Sequence, residues 1–397
     1  MYEMSKINFT MYLYKNDENS IMLIEEKYMS SKVLILSCGT GGGHNSAAKA
    51  IKENLEEKGL NVDFVEYLDI VNPKIRKEVN NLYIKTTKGN GKIFKVVYKL
   101  GEMYQKTNLK SPVYALNFLN KKRLYQYIVE NEYKYIITTH LFAAQALTAI
   151  KKEHDIKFMQ VATDYVCIPF WEETNPDYFI VPHEELEKDF IEKGIKQEKL
   201  LPYGIPTAKA YREKYNKEEV KKNLGLDNSK QYILILTGSM GFGNVTEMLK
   251  ELLKNIKDVT FIVSTGHNSK LQKVLEEKYK NFDNVIILPF TDKISEYMKS
   301  SEIILTKPGG LTTTEIATLR KPFIHTMPIP GCENYNAQFF EKRKMSISCD
   351  SIDKVVKNTK ELINNKELQE EMVKNQENYI SQDTCDKISE IVIKEIK

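Results

Sequence analysis

No run of about 18 apolar residues occurs anywhere in the 397-residue chain, so no segment is long enough to form a transmembrane helix. The best stretch, residues 135–150, is interrupted by Thr138, Thr139, His140 and Gln145. Cysteine is sparse. Cys38, Cys167, Cys332, Cys349 and Cys385 are scattered, odd in number and contain no C-x-x-C pair. That pattern argues against a disulfide framework or a zinc site and fits reduced thiols in a cytoplasmic compartment. Net charge is only +4, so the whole chain is neither a polycation nor a polyanion. The first 28 residues are polar and acid-containing and lack a signal-peptide core. They read as an N-terminal extension, with Met29 just before the first strand. Solenoid repeats and low-complexity tracts are also missing.

What is present suits two α/β domains. Hydrophobic residues make up 42% of the chain, enough for real cores, and the length exceeds one ordinary domain. Residues 33–37 are a short apolar run that reads as a buried parallel strand. A glycine loop follows, then an amphipathic helix over 45–58 stopped by Gly59. Strands are expected at 61–66, 134–139 and 157–163, with a helix at 141–152. The pattern restarts at 231–237 and continues with strands at 259–264, 285–288, 302–306 and 322–325. Alternating strands and helices imply doubly wound parallel sheets. The spacing places a first domain over 29–205 and a second over 206–350, with a linker near 203–208, where Pro202, Gly204 and Pro206 cluster. Residues 351–397 form a charged helical tail, expected to pack back toward the first domain.

Four loops carry candidate chemistry. The first is Cys38-Gly39-Thr40-Gly41-Gly42-Gly43-His44. It lets backbone approach a ligand and opens a helix, whose dipole keeps His44 neutral and able to accept a proton. A locally bonded turn histidine is the other reading. So is a dinucleotide fingerprint, for which Glu66 stands at the right strand end, although His44 occupies the third glycine position. The second loop, residues 237–243 with Gly238, Ser239 and Gly241, is a natural pyrophosphate cradle but no Walker A loop. The third runs from Lys307 through Gly309, Gly310, Leu311 and Thr312 to Glu315. Its helix start could hold phosphate and Glu315 could accept from a ribose diol, or Thr312 and Glu315 could form a capping box. In the fourth, residues 328–336, Glu333, Asn334 and Asn336 suit sugar hydroxyls or simple helix capping.

Charge is unevenly spread. Residues 74–123 carry thirteen Lys/Arg against two acids, an excess of eleven on a chain whose total is +4. Lys85, Lys88, Lys92, Lys95 and Lys99 are interleaved with Phe94, Tyr98 and Tyr104. Basic residues gain about 1 kcal/mol each near an anionic leaflet, and aromatics sit at headgroup level, so this reads as a membrane-surface patch. A solvated helical face is the plainer reading. No nucleic-acid module accompanies the charge, and nucleic acid is not expected as a partner.

Together the four loops, in this order, resemble glycosyltransferase family 28 and its diacylglycerol branch. The most specific matches are Gly41-Gly42-Gly43-His44 with Ser46-Ala47-Ala48, the turn Thr163-Asp164-Tyr165, Tyr203-Gly204-Ile205-Pro206, and Lys307-Pro308-Gly309-Gly310 through Asn336. Departures fall at Ile168, where the family has His, at Cys332, where it has Gln, and after Pro206, where its Arg is missing. The resemblance implies a GT-B fold and an inverting transfer from a UDP-hexose to a lipid acceptor, diacylglycerol, without cofactor or metal. It implies a protein peripherally attached to the cytoplasmic face of the cell membrane. It matches His44 to the base, with Asp164 nearby. Gly43, Gly238, Ser239, Gly241, Gly309, Gly310, Leu311 and Thr312 fall to the donor. Phe290 matches the uracil contact, Glu315 the ribose acid, and Glu333, Asn334 and Asn336 the donor-sugar turn. Two rivals stand beside it: a UDP-sugar transferase acting on a polyprenyl-linked or soluble acceptor, and a non-catalytic UDP-sugar-binding protein.

Overall fold

A computed structural model of the chain describes residues 31–39, 42–72, 76, 78, 92–105, 107, 109–238, 244–328 and 331–397. The N-terminal extension, Thr40, Gly41, Lys85, Lys88, Ser239 and Gly241 lie outside the described residues, as do the side chains of Lys92, Phe94 and Lys95.

The first lobe is built on β1 (Lys32–Ser37), β2 (Asn61–Glu66), β3 (Tyr133–Thr138), β4 (Phe158–Val161), β5 (Tyr178–Ile180) and β6 (Leu200–Leu201). They form one sheet in the order β2-β1-β3-β4-β5-β6, and every neighbouring pair is parallel. The central strand must be apolar on both faces, because helices cover both. In β1 alternate residues split accordingly. Leu34 and Leu36 pack with Tyr67, Ala143 and Leu147 on one face. Val33 and Ile35 pack on the other with Ala48, Ile51 and Leu55 of the helix Gly43–Glu57. Full burial of such side chains contributes about 1.5–3 kcal/mol each.

A second sheet repeats the design with β7 (Gln231–Leu236), β8 (Val259–Ser264), β9 (Val285–Leu288), β10 (Ile303–Thr306), β11 (Phe323–Thr326) and β12 (Ile347–Cys349), ordered β12-β11-β10-β7-β8-β9. Two helices, Ile352–Asn364 and Lys366–Tyr379, pack on this second sheet through Val355, Leu362 and Met372. The chain then crosses back. Ile388 and Val392 of the helix Thr384–Ile396 join the core of the first lobe, Ser389 Oγ donates to Asn54 Oδ1 at 2.7 Å, and Tyr178 OH donates to Glu395 Oε1 at 2.7 Å. At the crossing, Thr384 Oγ1 donates to the carbonyl of Tyr203 at 2.6 Å, tying the two interlobe connections together.

In open α/β sheets ligands bind beyond the carboxyl ends of the strands where the order reverses. That point lies between β1 and β3 in the first lobe and between β7 and β10 in the second. The two switch points face each other. A Cβ built on Gly43, just after β1, lies 3.6 Å from Leu311 Cβ, just after β10.

Candidate active site

His44 is the second residue of the helix Gly43–Glu57, whose cap is Gly42 at φ 85. The helix start sets the imidazole beside the end of β3. His44 Nδ1 lies 2.9 Å from the carbonyl of Thr139 and 2.8 Å from Thr163 Oγ1. A carbonyl only accepts, so the ring proton sits on Nδ1 and Nε2 is the basic nitrogen. Burial pulls the imidazole down to about 4, against the opposing pull of the Thr139 carbonyl. His140 stands edge-on to this ring with centroids 4.8 Å apart, and its Nδ1 accepts from the Phe142 N–H at 3.2 Å. Burial first, and then His44, hold the His140 ring well below the ordinary histidine range.

Asp164 sits on the turn after β4, which reaches across to the second lobe. Its Oδ1 accepts from Asn336 Nδ2 at 2.8 Å. Burial raises the carboxyl to about 6; the Asn336 amide opposes this, and Glu333 adds to it. Tyr165 carries the turn deeper. Its N–H donates to Asn336 Oδ1 at 2.7 Å, its hydroxyl lies 2.8 Å from Thr314 Oγ1, and its ring stacks on Phe339 at 4.5 Å. Tyr165 is thus a first-lobe residue buried in the second lobe's core.

In the second lobe, the helix Gly310–Thr318 starts with Gly309 as its cap and no side-chain cap bond. The Thr312/Glu315 capping box is therefore not formed. Its first turn faces the switch point, and the Gly310 N–H there is hydrogen-bonded to the Asp164 carboxyl. Gly238 closes on the same loop, where a Cβ would lie 2.9 Å from Lys307 Cε. Lys307 Nζ pairs with Glu333 Oε1 at 2.6 Å. Asn334 is exposed, whereas Asn336 is fully buried and spans both lobes. Phe290 is 59% exposed and stacks on His267 with centroids 4.0 Å apart, forming an aromatic ledge beyond β8 and β9.

Glu315 is buried, and Tyr211 of the interlobe connection hydrogen-bonds it. Burial raises its carboxyl from the ordinary 4.5 to about 8. The folded chain thus keeps a proton that the unfolded chain releases above pH 4.5. Stability therefore falls as pH rises from about 4.5 to about 8, by at most about 1.4 kcal/mol per unit from this group, and then levels off. Glu315→Gln, which mimics the neutral acid, is expected to flatten that slope. Thermal melts of both proteins between these pH values check it.

The helix Lys92–Gln105 lies along the rim of the cleft. Glu102 accepts from Tyr335 OH at 3.3 Å and Gln105 Nε2 donates to Glu172 Oε2 at 2.8 Å, so one face touches both lobes. Tyr98 and Tyr104 turn inward instead of outward. Tyr98 is half-buried, with its phenol pushed up by burial and then by Cys332 and Tyr335, and Tyr104 meets Phe170 edge-on. The outward stripe is Val96, Leu100 and Met103, each more than half exposed, with Lys99 beside it. Leu109, Leu116 and Leu119 are exposed as well.

Thr163, Tyr165 and Lys307 stand in motifs legible in the sequence but were expected to have no role of their own, and nothing singled out Thr139 or Tyr211, although Thr139 follows β3 at the switch point. Among the described residues no group of three His, Cys, Asp or Glu is placed to hold a metal ion, and no helix is long and apolar enough to cross a membrane.

Two doubly wound lobes with confronting switch points, one bearing a buried imidazole and the other glycine-lined helix starts, define a glycosyltransferase of the GT-B fold. The fold is shared by MurG of Acinetobacter baumannii, at TM-score 0.62 and 16% identity over 92% of this chain and 99% of that one. It is shared too by an S. aureus MnaA–UDP co-structure, at TM-score 0.59 and 15% identity over 91% and 96%. Residues 44–207 match the model of monogalactosyldiacylglycerol (MGDG) synthase, and residues 232–388 match the glycosyltransferase family 28 C-terminal domain. The chain belongs to glycosyltransferase family 28. Similar relatives include a processive diacylglycerol beta-glucosyltransferase of Staphylococcus epidermidis, 26% identical over 91% of this chain and 93% of that protein. Another of the same name, from Bacillus cereus, is 27% identical over 84% and 85%.

Proposed function

We propose that this chain transfers a hexose from a UDP-sugar to the hydroxyl of diacylglycerol, with inversion, at the cytoplasmic face of the cell membrane. The observation that carries the reading is His44: its proton is fixed on Nδ1 by the Thr139 carbonyl, and it lies across from the donor-side glycine loops. The names of the relatives favour diacylglycerol and glucose.

The steps follow from the groups available. Nε2 of His44 takes the acceptor proton, and the hydroxyl oxygen bonds to the anomeric carbon. The bond from that carbon to the diphosphate breaks on the opposite face, and its electron pair leaves on UDP. Backbone N–H groups and the dipole of the helix Gly310–Thr318 meet that charge, as does Lys307. Attack opposite the leaving group turns an α-linked donor into a β-glycoside. Phe290 offers a face for uracil and Glu315 a carboxyl for ribose; Glu333 and Asn334 lie at the sugar turn.

The outward stripe supports a lipid surface as the place of reaction, since an exposed apolar stripe beside Lys99 suits an anionic leaflet. The triple change Val96→Ser, Leu100→Ser, Met103→Ser is expected to weaken sedimentation with anionic liposomes by at least about tenfold, from roughly 1.5 kcal/mol or more of lost apolar burial. Equal sedimentation would remove the membrane from the reading. A UDP-release screen across several UDP-hexoses, with and without diacylglycerol in anionic vesicles, tests donor and acceptor together. Release is expected only when both are present.

A further inference from the structure

The turn Thr163-Asp164-Tyr165 and the loop Lys307-Pro308-Gly309-Gly310 belong to different lobes, yet one buried side chain holds both. Asn336 Nδ2 donates to Asp164 Oδ1 at 2.8 Å and to the Pro308 carbonyl at 3.0 Å. Its Oδ1 accepts the Tyr165 N–H at 2.7 Å. The carboxamide is therefore fully engaged in joining the two lobes, with both its donor and acceptor sides committed. From the same turn, Thr163 Oγ1 reaches His44 Nδ1 at 2.8 Å. The path from donor loop to base is thus continuous: Pro308 carbonyl, Asn336 amide, the 163–165 turn, Thr163 hydroxyl, His44 ring.

We infer that Asn336 is a positioning residue that couples the donor-side loop to the orientation of His44. The inference rests on the reading of His44 as the base. Pro308 immediately precedes the glycines that open the donor helix. A shift of that loop on binding a nucleoside diphosphate would pull on Asn336, and the pull would arrive at Thr163. The base would then be held in its working geometry most firmly when the donor loop is occupied, which favours transfer over idle turnover. Burial strengthens the coupling, because neither Asn336 nor Thr163 has much water to substitute for a lost partner.

Two substitutions separate this from a structural role or a direct sugar contact. Asn336→Ala removes all three bonds. Asn336→Asp keeps the shape and the acceptor for the Tyr165 N–H but removes the donor to Asp164 and Pro308. The first readout needs no substrate: 15N spectra of the His44 ring in the full chain. Wild type is expected to show one neutral tautomer with the proton on Nδ1. In both variants the ring resonances are expected to shift as the ring reorients, as they should in Thr163→Val, which removes the last link alone, while the Thr139 carbonyl keeps the proton on Nδ1. With UDP-glucose and diacylglycerol vesicles, transfer at saturating donor should fall roughly 10- to 100-fold while the donor KM changes less than about threefold. Unmoved His44 resonances in a folded variant overturn the coupling. A raised donor KM with kcat kept also overturns it and returns Asn336 to a sugar contact. Failure of the wild type to use any UDP-sugar would instead strike the proposed reaction, and the substrate-free spectra would still decide the role of Asn336.

Discussion

His44→Ala is expected to lower the transfer rate by roughly 10²–10⁴-fold, equivalent to about 2.7–5.4 kcal/mol of barrier, while UDP binding is retained. The split follows from position. The imidazole belongs to the first lobe, and its Nδ1 is held by Thr139 and Thr163, both first-lobe residues. The nucleotide loops belong to the second. Removing the ring therefore takes away the proton acceptor and leaves the diphosphate site intact. The pH profile carries a second signature. With its ring held down to about 4, His44 stays neutral through the physiological range and should produce no loss of rate between pH 7 and 5. Asp164, raised to about 6, is the group on the transfer turn that gains a proton in that window. A wild-type profile whose acid limb lies near pH 6, and which moves in Asp164→Asn, is the expected outcome. Kinetics and calorimetry with UDP check each part.

Gly310→Ala is expected to be nearly as damaging for a different reason. A Cβ at this position would lie 2.1 Å from the Thr163 carbonyl oxygen and 3.0 Å from both the Asp164 Cα and Oδ1. Two of those three atoms are backbone, so no side-chain rotation relieves the contact. The lobes must separate locally, and with them go the seat of Tyr165 on Phe339 and the bonds of Asn336. Displacing the turn by about 1 Å is enough to cost on the order of 10²-fold in rate. Overpacking also destabilises the fold by roughly 1–3 kcal/mol. Transfer assays and thermal melts of the variant are expected to show both losses. Gly309→Ala, where a Cβ meets nothing within 4 Å, serves as the control and should keep its melting temperature.

Much of this was legible in the residues. Parallel central strands are buried on both faces, so residues 33–37 and 231–237 announce themselves as apolar runs ending in glycine loops. His44 was legible because a helix start beside a switch point is a recognised place for chemistry. The strands β5, β6 and β12, of three, two and three residues, are too short to show any period and were not anticipated. The contacts of Asn336 with Tyr165 and Asp164 were not legible either, since these residues lie 171 and 172 positions away and only the tertiary fold brings them together. On the rim helix the period could be read, but not which stripe faces out. Packing against Phe170, Glu172 and Tyr335 turns Tyr98, Tyr104 and Glu102 inward and leaves Val96, Leu100 and Met103 outside. The Thr312/Glu315 spacing suggested a cap, yet the helix is capped three residues earlier, at Gly309, and burial beside Tyr211 decides the state of Glu315.

The most direct test is proton NMR of the lipid product formed from UDP-α-glucose and diacylglycerol vesicles, with UDP counted in the same reaction. A β-linked glucolipid with one UDP released per sugar transferred, lost together in His44→Ala, is the predicted result. An α-linked product, or UDP released without any lipid glycoside, would contradict the account.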